Sequence, residues 1–284
     1  MASTRNNGSV RDRPGVANSP HSIMASLFNL TGQHVLITGA TRGIGQACAL
    51  ALAQAGASVC LVVRPGYNPS QIATLNALRA LDTQPSGPQH SFVECDMADL
   101  KQLRTVVDRA LPLLDNNIHI LVNCAGIQRR APAVDFSEDD WDDVITTNLK
   151  AVFLLSRAAG KHMVPLRRGK IINFGSLMNF QGGVTVPAYA AAKGGVGQLT
   201  KALSNEWAQH NVQVNAICPG YIATDMNEWL LSDPVRLRQI SERIPAGRWG
   251  KPEDFAGPVI FLASQSSAYV TGELLVVDGG WMGR

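Results

Sequence analysis

A short apolar segment, a glycine-rich loop and an alanine-rich segment follow one another near the start of the chain. His34–Thr38 has the length and apolar character of a buried strand, and residues 46–55 have the composition of a helix. The loop between them carries glycines in the spacing G-x-x-x-G-x-G. Glycine lets the backbone approach a ligand closely, and a helix N-terminus presents free N–H groups and a positive dipole. This order predicts a βα unit that holds a phosphate group, with an ordinary tight turn as the alternative.

Strand-like and helix-like segments alternate along the rest of the chain. Further strands are predicted at 59–63, 89–95, 118–122, 169–174, 212–217 and 273–277, and further helices at 71–81, 100–114, 137–162, 188–210 and 253–262. Repeated βα units favour a parallel sheet with helices on both faces. We therefore predict an α/β fold with a single doubly wound, Rossmann-type parallel sheet. A ligand site is expected at the carboxyl ends of its strands.

Ser176, Tyr189 and Lys193 are the residues best suited to chemistry. Tyr189 and Lys193 are four positions apart in the predicted helix 188–210, so their side chains share one face. An ammonium group beside a phenol makes the phenol a better proton donor. A serine hydroxyl from another segment can hold a carbonyl or alcohol oxygen next to it. The trio suits reversible proton transfer at a C=O/CH–OH centre, with a hydride carrier bound at the glycine loop.

Further motifs fall in a fixed order along the chain. They are Thr38-Gly-x-x-x-Gly-x-Gly45, Asn123-Cys-Ala-Gly126, Asn148, Ser176, Tyr189-x-x-x-Lys193 and Pro219-Gly220. The series, which covers about residue 27 to the C-terminus, resembles that of the short-chain dehydrogenase/reductase family. One position departs from the family pattern, because Asn-Asn-Ala-Gly is Asn-Cys-Ala-Gly here. Cys124 is a small apolar substitute that leaves the rest of the motif intact.

The resemblance implies a catalytic tetrad of Asn148, Ser176, Tyr189 and Lys193. Tyr189 would exchange a proton with the substrate oxygen, and Ser176 would donate a hydrogen bond that strengthens as charge grows there. Lys193 would assist Tyr189 and hold the nicotinamide ribose, while Asn148 would hold a water that relays protons to Lys193. Taken singly, each residue also suits an ordinary turn, surface or helix position.

The same resemblance implies a nicotinamide dinucleotide site, and no residue pattern in the sequence indicates a metal site. The residues of the dinucleotide site are Gly39, Arg42, Gly43, Ile44, Gly45, Arg64, Asp96, Met97, Asn123, Ala125, Gly126, Tyr189, Lys193, Pro219, Gly220, Ile222 and Thr224. The second predicted strand, 59–63, is followed by Arg64 and not by the acidic residue that would favour NAD(H). Arg64 and Arg42 can instead meet a 2′-phosphate. We therefore favour NADP(H), and NAD(H) stays open if Arg64 is a solvated loop residue.

Four polar residues are the candidate substrate-binding residues, namely Gln128, Arg129, Arg130 and Gln181. The two arginines follow a predicted cofactor strand, and arginine pairs recognise carboxylates bidentately. With residues 180–183 and 244–250, they resemble the sugar-acid branch of the family, such as gluconate 5-dehydrogenases and 2-deoxy-D-gluconate 3-dehydrogenases. The resemblance implies a secondary alcohol or ketone substrate, such as a keto-gluconate. Subunit or helix contacts are the alternative role for the arginines.

Two other functions stay open from the sequence. Residues 221–247 are expected to form a lid over the substrate, and Met226, Trp229, Leu230 and Leu231 make it rather apolar for a sugar. A bulkier secondary-metabolite ketone is therefore an alternative substrate. A non-redox, cofactor-binding scaffold on the same fold is the other alternative, although a scaffold has no need of the whole tetrad.

The start of the chain differs from the rest in composition. Residues 1–22 are rich in Ser, Asn, Pro and Arg and hold few large apolar side chains. They weakly resemble an organelle transit peptide, but Pro14 and Pro20 would break a long amphipathic helix. We predict a disordered tail over residues 1–26 and one catalytic domain over residues 27–284, since the motifs spread along that whole length.

Charge and cysteine usage limit the partners and the compartment. The net charge of +3 is small and its basic residues are scattered, which argues against nucleic acid. The chain holds no apolar run of the roughly 18 to 20 residues that a membrane span needs. Five cysteines without metal-ligand spacing suit a reduced, cytoplasmic protein. By resemblance, we expect a homo-oligomer, a dimer or a tetramer, with the helices in 137–162 and 188–210 as candidate interfaces.

Overall fold

A parallel sheet forms the centre of the computed structural model, which describes residues 26–81 and 89–284. Its strands are β1 His34–Thr38, β2 Ser58–Val63, β3 Ser91–Glu94, β4 Ile120–Asn123, β5 Gly169–Phe174, β6 Val212–Pro219 and β7 Leu274–Val277. They are ordered β3-β2-β1-β4-β5-β6-β7, and every pair of neighbours is parallel. This confirms the predicted doubly wound, Rossmann-type fold. The predicted tail over residues 1–26 lies, apart from Ser26, outside the described residues.

Helices connect the strands. The α-helices of five residues or more are α1 Gly43–Gln54, α2 Ala73–Arg79, α3 Leu100–Ala110, α4 Glu138–Ile145, α5 Ala151–Leu166, α6 Pro187–Trp207, α7 Glu228–Ser232, α8 Pro234–Arg243 and α9 Ala256–Ala263. Within the described ranges, none of the helices has the length and apolar character needed to cross a membrane.

Apolar side chains fill both faces of the sheet. Ile37 of β1 packs on one face with Leu52 of α1, whereas the preceding Leu36 packs on the other face with Leu155 of α5. Successive strand residues point to opposite faces, so strands covered on both sides are apolar throughout. At roughly 25 cal/mol per Å² of buried apolar surface, these two layers make the sheet a stable platform for the loops at its edge.

The direction of the chain across the sheet reverses at β1. Thr38, the last residue of β1, lies beside Val62 of β2 on one side and Asn123 of β4 on the other. The loops that leave β1 and β4 therefore separate on opposite sides of the sheet. Such a switch point opens a crevice at the carboxyl edge, where ligands bind in this class of fold.

The long helix predicted within residues 137–162 has an interruption. It begins as expected, because the Ser137 hydroxyl accepts a hydrogen bond from the Asp140 N–H at 3.1 Å and caps α4. Thr146–Lys150 then forms a π-helical turn before α5 continues to Leu166. Such turns are rare and occur often at functional sites. Asn148 lies within this turn.

Two helices that the sequence analysis did not predict lie in the expected lid, residues 221–247. These are α7 and α8, which Asp233 joins. Its carboxylate accepts hydrogen bonds from the N–H groups of Val235 and Arg236, at 2.9 and 3.1 Å, and Pro234 occupies the first helical position. The lid is therefore a helical element rather than an irregular loop.

Candidate active site

A cleft of about 1840 Å³ opens along the carboxyl edge of the sheet, with α7 and α8 on its far side. Of the predicted site residues, those that line it are Gly39, Arg42, Gly43, Ile44, Gly45, Arg64, Asp96, Met97, Ala125, Gly126, Gln128, Arg129, Arg130, Ser176, Gln181, Tyr189, Lys193, Pro219, Gly220, Ile222 and Thr224. Asn123 and Asn148 do not line the cleft and are buried behind it. The structure thus brings nearly all of the predicted residues into one cavity.

The glycine loop after β1 admits no side chain at its closest points. Gly39 has a φ of +67°, and a Cβ there would lie 2.6 Å from the Ala125 Cα. A Cβ on Gly45 would collide with the Gly39 carbonyl oxygen. At the start of α1, the N-cap residue Arg42 gives no side-chain cap to the first-turn N–H groups. A tight backbone with uncapped N–H groups fits a pyrophosphate.

Two arginines flank this cradle in different electrostatic states. Arg42 forms an ion pair with Asp225, with 3.0 Å between Nη1 and Oδ2. Arg64 follows β2, lines the same cleft and is exposed. Within the described residues, no carboxylate pairs with Arg64. Its guanidinium is therefore available to a ligand anion.

Asn123 lies behind the wall of the cleft and does not contact the cavity itself. It is 2% exposed, and its amide nitrogen donates to Ser156 Oγ at 3.1 Å and to Asn173 Oδ1 at 2.9 Å. The Thr38 hydroxyl accepts hydrogen bonds from two successive N–H groups after β4, both at 3.1 Å. Burial raises the pKa of the Cys124 thiol to about 12, so it stays neutral. These contacts fix the loop after β4. Asn123 therefore affects the cleft indirectly, by holding that loop in place.

Tyr189 and Lys193 lie in the first two turns of α6. The Lys193 ammonium is 5.6 Å from the centroid of the Tyr189 ring. Lys193 is 5% exposed and donates a hydrogen bond of 2.6 Å to the Phe174 carbonyl at the end of β5. A Cβ on Gly126 would lie 3.3 Å from Asn148 Oδ1 and 3.9 Å from Lys193 Nζ. The lysine is thus held beside the phenol, and Asn148 approaches it behind Gly126.

Asn148 is fully buried in the π-helical turn. Its Oδ1 accepts from the Ile127 N–H and its Nδ2 donates to the Ile127 carbonyl, both at 2.8 Å. This two-point contact holds the loop after β4 against the start of α5. The proton relay predicted for Asn148 stays a prediction, because both of these hydrogen bonds go to backbone.

Asn179 is a residue that the sequence analysis missed. Its Oδ1 accepts from the Ser176 N–H at 2.8 Å, and its Nδ2 donates to the Lys193 carbonyl at 2.6 Å. One amide therefore joins the loop that carries Ser176 to the helix that carries Tyr189 and Lys193. A Ser-x-x-Asn spacing after a strand resembles a capping box, and that was the signal in the sequence. Asn179 is a positioning residue, since it acts through its neighbours.

The adjacent arginines after β4 have different partners. Arg129 pairs with two carboxylates of α4, Asp140 at 3.1 Å and Asp143 at 3.3 Å. Arg130 donates to Gln128 Oε1 at 2.7 Å, and its guanidinium carbon lies 4.3 Å from the centroid of a Trp229 ring. Arg129 thus makes the kind of helix contact that was the alternative to substrate binding. Arg130 lines the cleft, and within the described residues no carboxylate neutralises its charge.

The apolar lid residues have structural partners. Trp229 covers the Arg130 guanidinium, an arrangement stabilised by cation–π attraction. Leu230 is 4% exposed and belongs to one apolar cluster with Ile240 of α8 and with Leu177, which follows Ser176. Gln181, the fourth predicted substrate residue, accepts a long hydrogen bond of 3.5 Å from the Trp281 indole. Leu230 is thus a core residue, whereas Met226 and Trp229 are each more than two fifths exposed and line the cleft.

The cleft combines an anion cradle, a proton donor and a cationic end. A nicotinamide dinucleotide fits the glycine loop, α1 and Arg64, and when bound it supplies or accepts the hydride. Ser176 and Tyr189 both line this cleft, and a hydroxyl and a phenol are groups that can hydrogen-bond to and protonate a carbonyl oxygen. In residues 26–81 and 89–284, no group of three or more His, Cys, Asp or Glu is arranged to hold a metal ion.

Comparison with known proteins agrees with this geometry. A family model described as enoyl-(acyl carrier protein) reductase matches residues 39–282. The 2-dehydro-3-deoxy-D-gluconate 5-dehydrogenase of Pseudoalteromonas atlantica is 48% identical over 264 residues, and that of Escherichia coli is 43% identical over 265; each match covers 92% of this chain and all of the relative.

A solved structure extends the likeness to three dimensions. The gluconate 5-dehydrogenase from Burkholderia cenocepacia, in complex with NADP and tartrate, is 38% identical with a TM-score of 0.84. The match covers 92% of this chain and 99% of that one. Shared sequence and fold over nearly the whole length show that the chain belongs to the short-chain dehydrogenase/reductase family, as a nicotinamide-dependent oxidoreductase acting on a CH–OH group.

Proposed function

We propose that this protein is an NADP(H)-dependent oxidoreductase that interconverts a keto sugar acid and its hydroxy acid. The observation that carries the proposal is the position of Arg130, a cation without a carboxylate partner among the described residues, in the same cleft as Tyr189 and Lys193. A substrate carboxylate would supply the missing partner. The names of the curated relatives, which are gluconate and keto-gluconate dehydrogenases, support the same substrate class.

In the direction of reduction, the substrate carbon takes up a hydride and its oxygen takes up a proton. Tyr189 gives that proton, and the Ser176 hydroxyl donates a hydrogen bond to the same oxygen. The Lys193 ammonium stabilises the phenolate that remains, because the Phe174 carbonyl fixes it nearby. Gly126 of the loop after β4 lies close to both Asn148 and Lys193. A water held there would relay a proton back to Lys193.

The preference for NADP(H) rests on the end of β2. Arg64 stands where an acidic residue would favour NAD(H), and it lines the cleft on the same side as the glycine loop. Solved relatives contain NADP. Asp96 would accept from the adenine amino group, and Ile222 and Thr224 would hold the carboxamide.

We further propose that residues 27–284 act as one catalytic domain that forms dimers or tetramers in the cytoplasm. Trp141 of α4 and Phe153 of α5 support an oligomer, since each is about two fifths exposed on the helices expected at the interface.

Absorbance at 340 nm tests the function with three ketones. The proposal expects NADPH to be oxidised with 5-keto-D-gluconate much faster than with L-sorbose, which has CH₂OH in place of the carboxylate, or with a bulky apolar ketone. NADH should serve less well in the same assay. Faster turnover of the neutral or the bulky ketone would refute a sugar-acid substrate.

A further inference from the structure

Helix α8 contributes two arginines to the substrate end of the cleft. Arg236 and Arg243 line it together with Arg130. They are seven residues apart, close to two helical turns, so they share one face of the helix. Ile240 lies near that face and is 4% exposed. This face of α8 is therefore turned toward the protein, and Arg238 lies on the opposite face.

Positive charge at this end of the cleft is not neutralised. Arg129 and Arg42 have carboxylate partners, but within the described residues no carboxylate oxygen lies within 4.0 Å of the guanidinium groups of Arg130, Arg236 or Arg243. Burial lowers the pKa of the Arg130 guanidinium, the phenols of Tyr221 and Tyr189 oppose that shift, and the charge of Arg236 adds a smaller lowering. Arg130 and Arg236 thus line one cleft and repel each other weakly.

The three arginines differ in how firmly they are held. Arg130 stacks on Trp229, and the Arg243 guanidinium carbon lies 3.9 Å from the centroid of a Trp281 ring. Arg236 is exposed, and within the described residues its guanidinium donates a single hydrogen bond, of 3.3 Å, to Gln239 on its own helix. Arg236 is therefore free to turn toward a ligand, whereas the other two are fixed in the wall.

We propose that Arg236 is a second specificity-determining residue, which binds the substrate carboxylate from the lid while Arg130 binds it from the loop after β4. The inference rests on the proposed function. A carboxylate between the two guanidinium groups removes their repulsion and joins the lid to the sheet. A neutral ketose leaves that repulsion in place. Arg243, stacked on Trp281, adds to the positive field.

The test compares Arg236→Gln with Arg238→Gln, the same change on the opposite face of α8, where Arg238 pairs with Glu242 at 2.6 Å. Both variants and the wild type are assayed for NADPH oxidation with 5-keto-D-gluconate and with L-sorbose. Arg236→Gln should lower kcat/KM for the keto acid at least about tenfold, mainly through KM, and leave that for L-sorbose unchanged. Arg238→Gln should change neither value, and Arg236→Lys should recover part of the loss.

Three outcomes overturn the inference. It fails if Arg236→Gln keeps the wild-type kcat/KM for the keto acid, if it loses activity equally on both substrates, or if Arg238→Gln loses as much. A wild-type enzyme that reduces L-sorbose as well as the keto acid refutes the proposed function itself. The two failures are distinguishable, because the first appears only in the variants and the second already in the wild type.

Discussion

Cationic residues of the cleft fall into two groups according to whether a carboxylate neutralises them. Arg42 and Arg129 are paired, with Asp225 and with α4 respectively. Arg64 and Arg130 line the same cleft without a carboxylate partner within residues 26–81 and 89–284. An unpaired guanidinium gains most from a ligand anion, because it gives up no existing ion pair. We therefore assign the cofactor phosphate to Arg64 and the substrate carboxylate to Arg130.

Replacing Arg64 tests the cofactor assignment. Arg64→Ala should raise the KM for NADPH about tenfold or more, since a hydrogen-bonded charge contributes about 1.5–3 kcal/mol, and leave the KM for NADH nearly unchanged. Steady-state kinetics with both cofactors measures this. The matched control is Arg79→Ala, an exposed arginine at the end of α2 outside the cleft. An unchanged ratio of the two KM values in Arg64→Ala would show that Arg64 does not select the cofactor.

Arg129 and Arg130 also mark a limit of sequence reasoning at this scale. Both were predicted as substrate residues because adjacent arginines suit a carboxylate. Their different roles depend on α4, whose Asp140 and Asp143 reach Arg129 only after the chain folds. Similarly, Asn179 had a recognisable spacing to Ser176, but its bond to Lys193 spans 14 residues and could not be read from that spacing.

Helix α6, which carries Tyr189 and Lys193, packs closely against Asn179 of the loop that carries Ser176. A Cβ on Gly197 would collide with the amide nitrogen of Asn179, which holds the Lys193 carbonyl. A Cβ on Gly194 would meet no atom within 4 Å. A methyl group on Gly197 would therefore displace Asn179, whereas one on Gly194 would displace nothing.

These glycines give a matched pair of substitutions. Gly194→Ala should raise the free energy of unfolding by up to about 1 kcal/mol, because alanine favours a helix, and should keep kcat. Gly197→Ala should lower kcat strongly by moving Asn179 away from Lys193. Urea unfolding and kcat with saturating NADPH measure the two effects. Wild-type kcat in Gly197→Ala would mean that the Asn179 bridge is not needed for catalysis.

Elements with a strong hydrophobic pattern were predicted well, and the exceptions have physical causes. The strands and α6 carry runs of apolar residues that only a buried position explains. In the π-helical turn at Thr146–Lys150, Asn148 contacts Ile127 from a distant segment, which no local pattern shows. Helix α7 has only five residues and α8 is mostly polar, so neither showed a clear hydrophobic period.

At the scale of the whole molecule, the site exists only because the sheet brings distant segments together. The glycine loop leaves β1, Ser176 follows β5, and the lid follows β6, all at one edge. The family motifs occur in a fixed order along the chain. The doubly wound topology explains why these distant segments meet in a single cleft. Motif order therefore predicted the cofactor end, whereas the arginines of the lid required the structure.

The account depends most directly on Tyr189 as the proton donor in this assembled cleft. The decisive measurement is NADPH oxidation with 5-keto-D-gluconate by Tyr189→Phe, with NADPH binding followed by its fluorescence. Removing the hydroxyl takes away the donor and leaves the ring, so we predict that binding is retained and kcat falls by 10²-fold or more. Turnover by Tyr189→Phe at the wild-type rate would contradict the account.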